Sequence, residues 1–198
     1  MDKRCFIIGK DEIPSKVVLG KGESLHWTFA SLPGTSGMTE IEIDIDAPDC
    51  EVDLAGIFLC TGNEDLSIKV LVRHNAGGSI SRQLFKGIAG GRAKADFSGL
   101  IYVKEDAQKT KAYQSCHTIL LSPDARVEAR PQLEIHADDV ECSHGATSGY
   151  LNPEELFYMR SRGIPEDEAR RLQIQSFIAP VLSRLEPELQ EKILEGLE

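Results

Sequence analysis

Short segments in which apolar and polar residues alternate run through the first three quarters of the chain. In residues 40–47, three isoleucines alternate with three carboxylates. A period of two places the isoleucines on one face of a strand and the carboxylates on the other. Before residue 150 no segment convincingly shows apolar residues at the spacing of one helix face. Similar alternation predicts strands at residues 66–73, 100–104, 125–129 and 132–136.

Turn-forming clusters separate these segments, at residues 61–63, 75–78, 90–91 and 122–124. Asn-Gly and Asp-Gly hairpin signals between alternating runs are absent. Small residues are instead expected to mark corners, at Gly87, Gly90, Gly91 and Gly99. Coils stacked with a period on the order of 20 residues would fit this pattern. No strict internal repeat is visible, so the pattern leaves a β-solenoid, a sandwich and a barrel open.

The last 49 residues predict helices instead of strands. Asn152 followed by Pro153 and two glutamates is a helix start, and Gly163 is expected to end that helix. Residues 165–185 predict a second helix that Pro180 should kink or divide. Residues 187–197 predict a third. We therefore divide the chain into a β body at residues 1–149 and a C-terminal helical domain at residues 150–198.

Charge narrows the possible partners. The 198 residues include 32 acidic and 22 basic ones, for a formal net charge of −10. Binding to nucleic acid or to an anionic membrane surface depends on Lys and Arg, so we expect neither partner. The longest apolar runs span only a few residues, far below the roughly 18 of a membrane helix. Residues 1–14 do not predict a signal peptide, and five irregularly spaced cysteines predict reduced thiols and a cytoplasmic protein.

Several short blocks in the second half of the chain are much more specific than the strand pattern. They are GLIYVK at 99–104, AQKT at 107–110, LLS at 120–122, PQLEI at 131–135, ADDV at 137–140, CSHGAT at 142–147, LFY at 156–158 and SRGI at 161–164. In this order and at these distances they resemble the SufB/SufD family of iron–sulfur cluster assembly proteins, and the SufD branch more closely. The resemblance is weak before about residue 70.

The resemblance implies a mainly β fold: a right-handed parallel β-helix (β-solenoid) followed by a small C-terminal helical domain. It also implies a scaffold subunit of the SUF system that is not itself an enzyme. Family members pair through the end of the β-helix, and their helical region docks SufC, an ABC-type ATPase. Typical SufD proteins are about twice as long, so we expect a short form without their N-terminal region.

Cys142 and His144 are the leading candidate metal ligands. Residues i and i+2 of a strand point to the same face, and thiolate and imidazole are suitable ligands for iron. His144 matches the SufD-type histidine that the family implicates in cluster formation together with a SufB cysteine. We expect a transient cluster, or iron, shared across a subunit interface, and none on the isolated chain. The alternative is that Cys142 is a small buried hydrophobe and His144 a hydrogen-bonded strand residue.

Four other cysteines are expected to be structural. Cys116 and His117 are adjacent on a strand and face opposite ways, so they should not chelate one ion together. Cys5, Cys50 and Cys60 have no partner signal. Ala125 stands where the SufB branch tends to have its interface cysteine, which supports the SufD assignment.

The resemblance places the subunit contact around residues 131–144. Glu134, His136, Asp138 and Asp139 are therefore expected at the dimer edge. The two adjacent aspartates would diverge on a strand, so capping of edge hydrogen bonds is favoured over a metal or acid–base role. The partner is a SufB-like subunit or a second copy of this chain. The glycine-rich segments 75–79 and 87–91 lack the features of nucleotide-binding loops.

An aromatic and basic patch on the first predicted helix is the candidate partner-binding surface for the ATPase. It consists of Phe157, Tyr158, Arg160 and Arg162. The alternative is a helix that packs on the β body with its arginines in solvent.

Three functions stay open at this stage. The leading one is a SufD-like scaffold, and the second is a metal-free interaction module that only binds SUF partners. The third, a β-solenoid hydrolase acting on polysaccharide, would need clustered acids and an aromatic groove. An aromatic content of 6% with the single Trp27 disfavours it.

Overall fold

The computed structural model describes residues 1–197, which form eleven strands and three helices. The strands are β1 (Asp2–Ile7), β2 (Lys16–Leu19), β3 (Ser24–Ala30), β4 (Gly37–Ile45), β5 (Glu51–Cys60), β6 (Asp65–His74), β7 (Ile80–Ala89), β8 (Lys94–Val103), β9 (Lys111–Leu120), β10 (Arg126–Ile135) and β11 (Glu141–Tyr150). The helices are α1 (Pro153–Ser161), α2 (Glu166–Leu182) and α3 (Pro187–Glu195).

The strands form a parallel β-solenoid of about five turns, which confirms the fold that the resemblance implies. The odd strands make one sheet in the order β1-β3-β5-β7-β9-β11, and the even strands make a second sheet in the order β10-β8-β6-β4-β2. Glu51 pairs with Ile80, and Ile80 pairs with Lys111, so these two middle coils take 29 and 31 residues. The expected period of about 20 residues was too short for the middle coils, because each of them holds two strands of ten residues and two corners.

Every segment that the alternation predicted lies in the even sheet. The segments at 125–129 and 132–136 are two halves of one strand, β10, whose middle residue Pro131 lies on an edge strand that can accommodate it. In β4 the three isoleucines are buried, as predicted. The predicted turn clusters all lie in corners between strands of the two sheets.

Aromatic side chains opposite glycines fill the interior of the middle coils. Phe85 lies against Phe97 with ring centroids 4.6 Å apart. A Cβ atom at Gly56 would lie 2.5 Å from the Phe85 ring, and one at Gly87 would lie 2.1 Å from the Phe58 ring. The expectation that Gly87 and Gly99 mark corners was therefore wrong. Both lie within strands, where the missing side chain makes room for a large neighbour.

Helices α2 and α3 pack on the outer face of the odd sheet. Ala55 and Ile57 of β5 form one apolar cluster with Ile174 and Ile178 of α2. Because β5 is packed on both faces from Leu54 onward, this part of the strand carries apolar residues on both faces.

Ion pairs cover the outer face of the even sheet instead. Asp44 lies 2.7 Å from Lys16 Nζ and 3.0 Å from Arg73 Nη1, and Arg73 also contacts Glu42. Burial acts to raise the pKa of Asp44, but the hydrogen bonds from both cations hold it below its ordinary value. This face is therefore polar, and its strands alternate clearly in sequence.

The predicted helix start is confirmed at α1. The Asn152 side chain accepts hydrogen bonds from the backbone N–H groups of Glu154 and Glu155. Gly163, with φ of +89°, follows the helix end as expected. Of the kink or division expected at Pro180, division does not occur, because α2 continues through this residue and ends two residues later, at Leu182. No helix within residues 1–197 is long and apolar enough to cross a membrane.

Candidate interface and ligand site at the last coil

The last coil, formed by β10 and β11, leaves one edge of each sheet free. Among the described strands, β10 pairs only with β8 and β11 pairs only with β9. The interior side chains of this coil are also less buried than those of the preceding coil. Ile135 is 38% exposed, whereas Val103, its partner in the preceding coil, is fully buried. An apolar interior and two sets of backbone hydrogen-bonding groups are thus open to a partner at one end of the solenoid.

Cys142 and His144 lie in the inward-facing row of β11. Their partners in β9 are Ala112 and Gln114, both of which are buried. Cys142 is half-buried and packs against a small cluster that includes Ala112 and Val140. His144 is exposed. The two candidate ligands therefore share a face at the open end, where a second chain could approach both of them.

The thiol of Cys142 is held in its neutral form. Burial raises its pKa, and the Glu141 carboxylate acts in the same direction, while a hydrogen bond from the Ala112 backbone partly opposes them. Iron binding would have to displace this proton, because the thiolate is the ligand.

The donor types fit iron or an iron–sulfur cluster, but their number does not complete a site. Within residues 1–197 no group of three or more His, Cys, Asp or Glu residues could hold a metal ion. Cys142 and His144 would thus supply at most two donors, and others would have to come from a partner or from the cargo itself.

The candidate dimer-edge residues lie around the corner after β10. Glu134 is exposed on β10, and His136 Nε2 lies 3.0 Å from its carboxylate. Asp138 and Asp139 lie in the corner between β10 and β11, so placing them on a strand was wrong. The backbone of Asp139 accepts a hydrogen bond from the Lys109 N–H at 2.6 Å and donates one to Gln108 Oε1 at 2.8 Å. Backbone groups therefore join this corner to the preceding coil, and both aspartate side chains are exposed.

The other cysteines divide into buried and exposed ones. Cys116 is fully buried in the main core, and burial raises the pKa of its thiol to about 12. His117 points to the opposite face, where its Nδ1 lies 2.8 Å from Thr147 Oγ1. Cys50 and Cys60 are buried as a structural role requires, but Cys5 is exposed, so core packing does not explain it.

The aromatic and basic patch on α1 faces solvent. Phe157 is 74% exposed and Tyr158 is 59% exposed. Arg162 lies over the Tyr158 ring at 5.3 Å, and Arg160 Nη1 lies 3.2 Å from the Glu166 carboxylate. No residue of α1 is fully buried. Leu156 of the same helix packs against the apolar cluster that α2 forms with the odd sheet, so the alternative of a helix that packs on the β body with its arginines in solvent stays open.

Two buried glutamines next to this site were missed in the sequence. Gln83 and Gln114 occupy matching positions of β7 and β9 and face the interior. They are 31 residues apart, which is one coil, so a search at the true repeat length could have paired them.

A family model described as "SUF system FeS cluster assembly, SufBD core domain" matches residues 14–177. The chain belongs to the SufBD family. The matched region runs through the solenoid to the last coil and most of α2, and it confirms the resemblance found in the sequence.

Curated relatives of this SufBD chain include two SufD proteins. It is 41% identical over 133 residues to the iron–sulfur cluster assembly protein SufD of Escherichia coli K12, covering 67% of this chain and 31% of that protein. For SufD of Bacillus subtilis 168 the identity is 29% over 166 residues, covering 84% and 38%. It is also 38% identical over 176 residues to the chloroplastic protein ABCI7 of Arabidopsis thaliana, covering 81% and 37%. The chain thus spans about a third of the length of these relatives.

Proposed function

We propose that this chain is a SufD-like scaffold subunit of the SUF system. In this proposal it pairs through its last coil, contributes His144 and Cys142 to a shared iron or cluster site, and docks an ABC-type ATPase through α1. It does no chemistry alone. The observation that carries the proposal is the last coil, where both sheets end in a free edge and the interior is less buried than in the preceding coil.

Pairing would extend both sheets across the interface. A second solenoid that adds strands to β10 and β11 would satisfy their free backbone groups and cover Ile135. We favour a SufB-like subunit as the partner, because Cys142 and His144 are at most two ligands and residues 1–197 hold no larger group. A second copy of the chain is the other outcome that the experiment distinguishes.

The ligand role follows from the position of the pair. Cys142 and His144 share the inward face of β11 at the proposed interface. Each would be inaccessible in a middle coil, where the equivalent positions are buried. In a paired assembly they would meet donors from the partner and hold iron or a nascent cluster as cargo.

The docking role rests on the exposure of α1. Phe157 and Tyr158 are exposed and would become buried on binding. Aromatic residues and arginine contribute most of the binding energy in many protein–protein interfaces. The helix is nevertheless anchored. Gln173 Nε2 of α2 donates to the Asn152 carbonyl at 3.1 Å and to Glu155 Oε2 at 3.0 Å.

Co-expression with SufB-like and SufC-like proteins from the same organism tests the proposal. We expect native mass spectrometry to detect a complex that Ile135→Asp abolishes. Gln132→Asp is the matched control, since it adds the same charge on the outer face of β10. A complex that survives Ile135→Asp would contradict pairing through the last coil.

Anaerobic reconstitution with iron and sulfide tests the ligand role separately. With the partner present, we expect visible thiolate-to-iron absorption that His144→Ala and Cys142→Ser each reduce. Unchanged absorption in both variants would overturn the ligand assignment.

A metal-free interaction module is the second candidate function. Two observations favour it: the chain offers only two donors at the last coil within the described residues, and burial raises the pKa of the Cys142 thiol. A complex with the ATPase that forms normally but never binds iron would select this function.

A further inference from the structure

A pair of hydrogen-bonded amides lies inside the solenoid beneath the last coil. Gln83 is 3% exposed and Gln114 is 1% exposed, and both belong to the inward-facing row of the odd sheet. Gln114 Nε2 donates a hydrogen bond of 2.8 Å to Gln83 Oε1. The neighbouring strand spacing of about 4.8 Å allows amides in one row to bond along the solenoid axis.

Each amide of this pair has one unsatisfied atom, and for Gln83 it is the buried Nε2. Gln114 Oε1 is buried and has no hydrogen-bond partner in the described structure. Buried polar atoms are nearly always paired, so an orphaned carbonyl oxygen indicates a missing donor. The interior also makes room for this amide, because a Cβ atom at Gly99 would lie 2.2 Å from Gln114 Nε2.

The next residue in the same row carries such a donor. His144 is the direct partner of Gln114 across β9 and β11, as Gln114 is of Gln83 across β7 and β9. The amide nitrogen of Gln114 is used toward Gln83, which leaves its carbonyl oxygen for the coil of His144. A neutral imidazole has one N–H donor and one free nitrogen.

We propose that Gln114 is a positioning residue for His144: its side-chain carbonyl accepts the imidazole N–H and fixes the tautomer. The opposite ring nitrogen then stays free and is directed to the open end. Partners of this kind orient histidine ligands in metal sites generally. The consequence for iron rests on the proposed function, whereas the tautomer itself does not.

Nitrogen NMR of the purified, histidine-labelled chain at alkaline pH tests the proposal. The His144 signals are assigned with His144→Gln. We expect Gln114→Met, which keeps the length of the side chain and removes its carbonyl, to change the tautomer ratio about fivefold, the ratio that a typical net hydrogen bond gives.

Gln83→Met is the matched control. It removes the acceptor of Gln114 Nε2 but keeps the Gln114 carbonyl, so the tautomer ratio should change less than it does in Gln114→Met. If Gln114→Met does not fold, the double variant with Gln83→Met replaces both amides and leaves neither unpaired. The proposal is overturned if the His144 tautomer ratio is unchanged in the Gln114 variant that folds. It is also overturned if Gln83→Met changes the ratio as much as that variant does.

Measuring iron binding in the presence of the partner, alongside the tautomer ratio, separates the failure of this proposal from the failure of the proposed function. Tautomer control without any iron binding would leave the role of Gln114 standing and remove the ligand role of His144. Iron binding together with a tautomer ratio that Gln114→Met leaves unchanged would keep the ligand role of His144 and remove the positioning role of Gln114.

Discussion

The middle coils and the last coil share one architecture but differ in what covers their interior. In β5 to β8 each inward side chain lies between two neighbouring coils, and large rings fit opposite glycines. In β10 and β11 the same inward row has a neighbour on one side only. A solenoid coil is thus stabilised mainly by its neighbours, and an end coil with an apolar interior is suited to receive another molecule.

The largest expected difference between the two regions concerns core truncation. Phe85→Ala in the middle should lower the free energy of unfolding by about 3–5 kcal/mol, because it leaves a cavity between Phe97 and Gly56. Ile135→Ala in the last coil should cost less than about 1 kcal/mol in the isolated chain, because this side chain is partly in water already. Chemical denaturation measures both, and equal losses would contradict the comparison.

A pH effect should arise from the middle coils. Burial lowers the pKa of His74 to about 4, so between about pH 6.5 and 4 the unfolded chain binds a proton that the folded chain does not. This effect on stability is absent above about pH 6.5 and lowers the free energy of unfolding by about 3 kcal/mol as the pH falls to 4. His74→Gln should flatten this slope in urea melts across that pH range. A slope equal to that of the wild type would show that other groups cause it.

Glycine-to-alanine substitutions should also lower stability more in the middle coils than in the last coil, by a smaller amount. Gly87→Ala forces a methyl group into the Phe58 ring and should destabilise the fold by about 1–3 kcal/mol. Gly149→Ala in β11 meets no atom within 4 Å and should change stability by less than about 0.5 kcal/mol. Thermal melts of the two variants check this, and comparable destabilisation would indicate that the last coil is packed like the middle ones.

Thiol labelling should distinguish the regions with the smallest disturbance of the fold. Cys116 is fully buried with a pKa of about 12, so it should react only when the protein opens. Cys142 is half-buried at the open end and should react faster, at a rate that rises with pH as its thiolate forms. Mass spectrometry of alkylated peptides follows each site. We expect a bound partner to slow labelling at Cys142 but not at the exposed Cys5.

The strand pattern was predictable in one sheet and hidden in the other for a physical reason. The even sheet has a solvated outer face of ion pairs, so β4 and β6 alternate clearly. The odd sheet carries α2 on its outer face, so β5 is buried on both faces from Leu54 onward and does not alternate there. A strand alternates in sequence when one of its faces is exposed to solvent. A helix that packs on that face makes both faces apolar, so the alternation disappears.

Residue spacing and the family resemblance predicted only part of the candidate site. The shared face of Cys142 and His144 follows from a period of two, and the structure places both residues in one row. The corner at Asp138 and Asp139 and the amide row of Gln83 and Gln114 depend on how coils stack. Stacking joins residues about 30 positions apart, and no local pattern contains that information.

Amide hydrogen exchange with and without a SufB-like subunit tests pairing through the last coil most directly. We predict that peptides from β10 and β11 become protected in the complex, while those from β6 and β7, which are already paired on both sides, stay unchanged. A stable complex in which β10 and β11 exchange as fast as in the free chain would contradict the account.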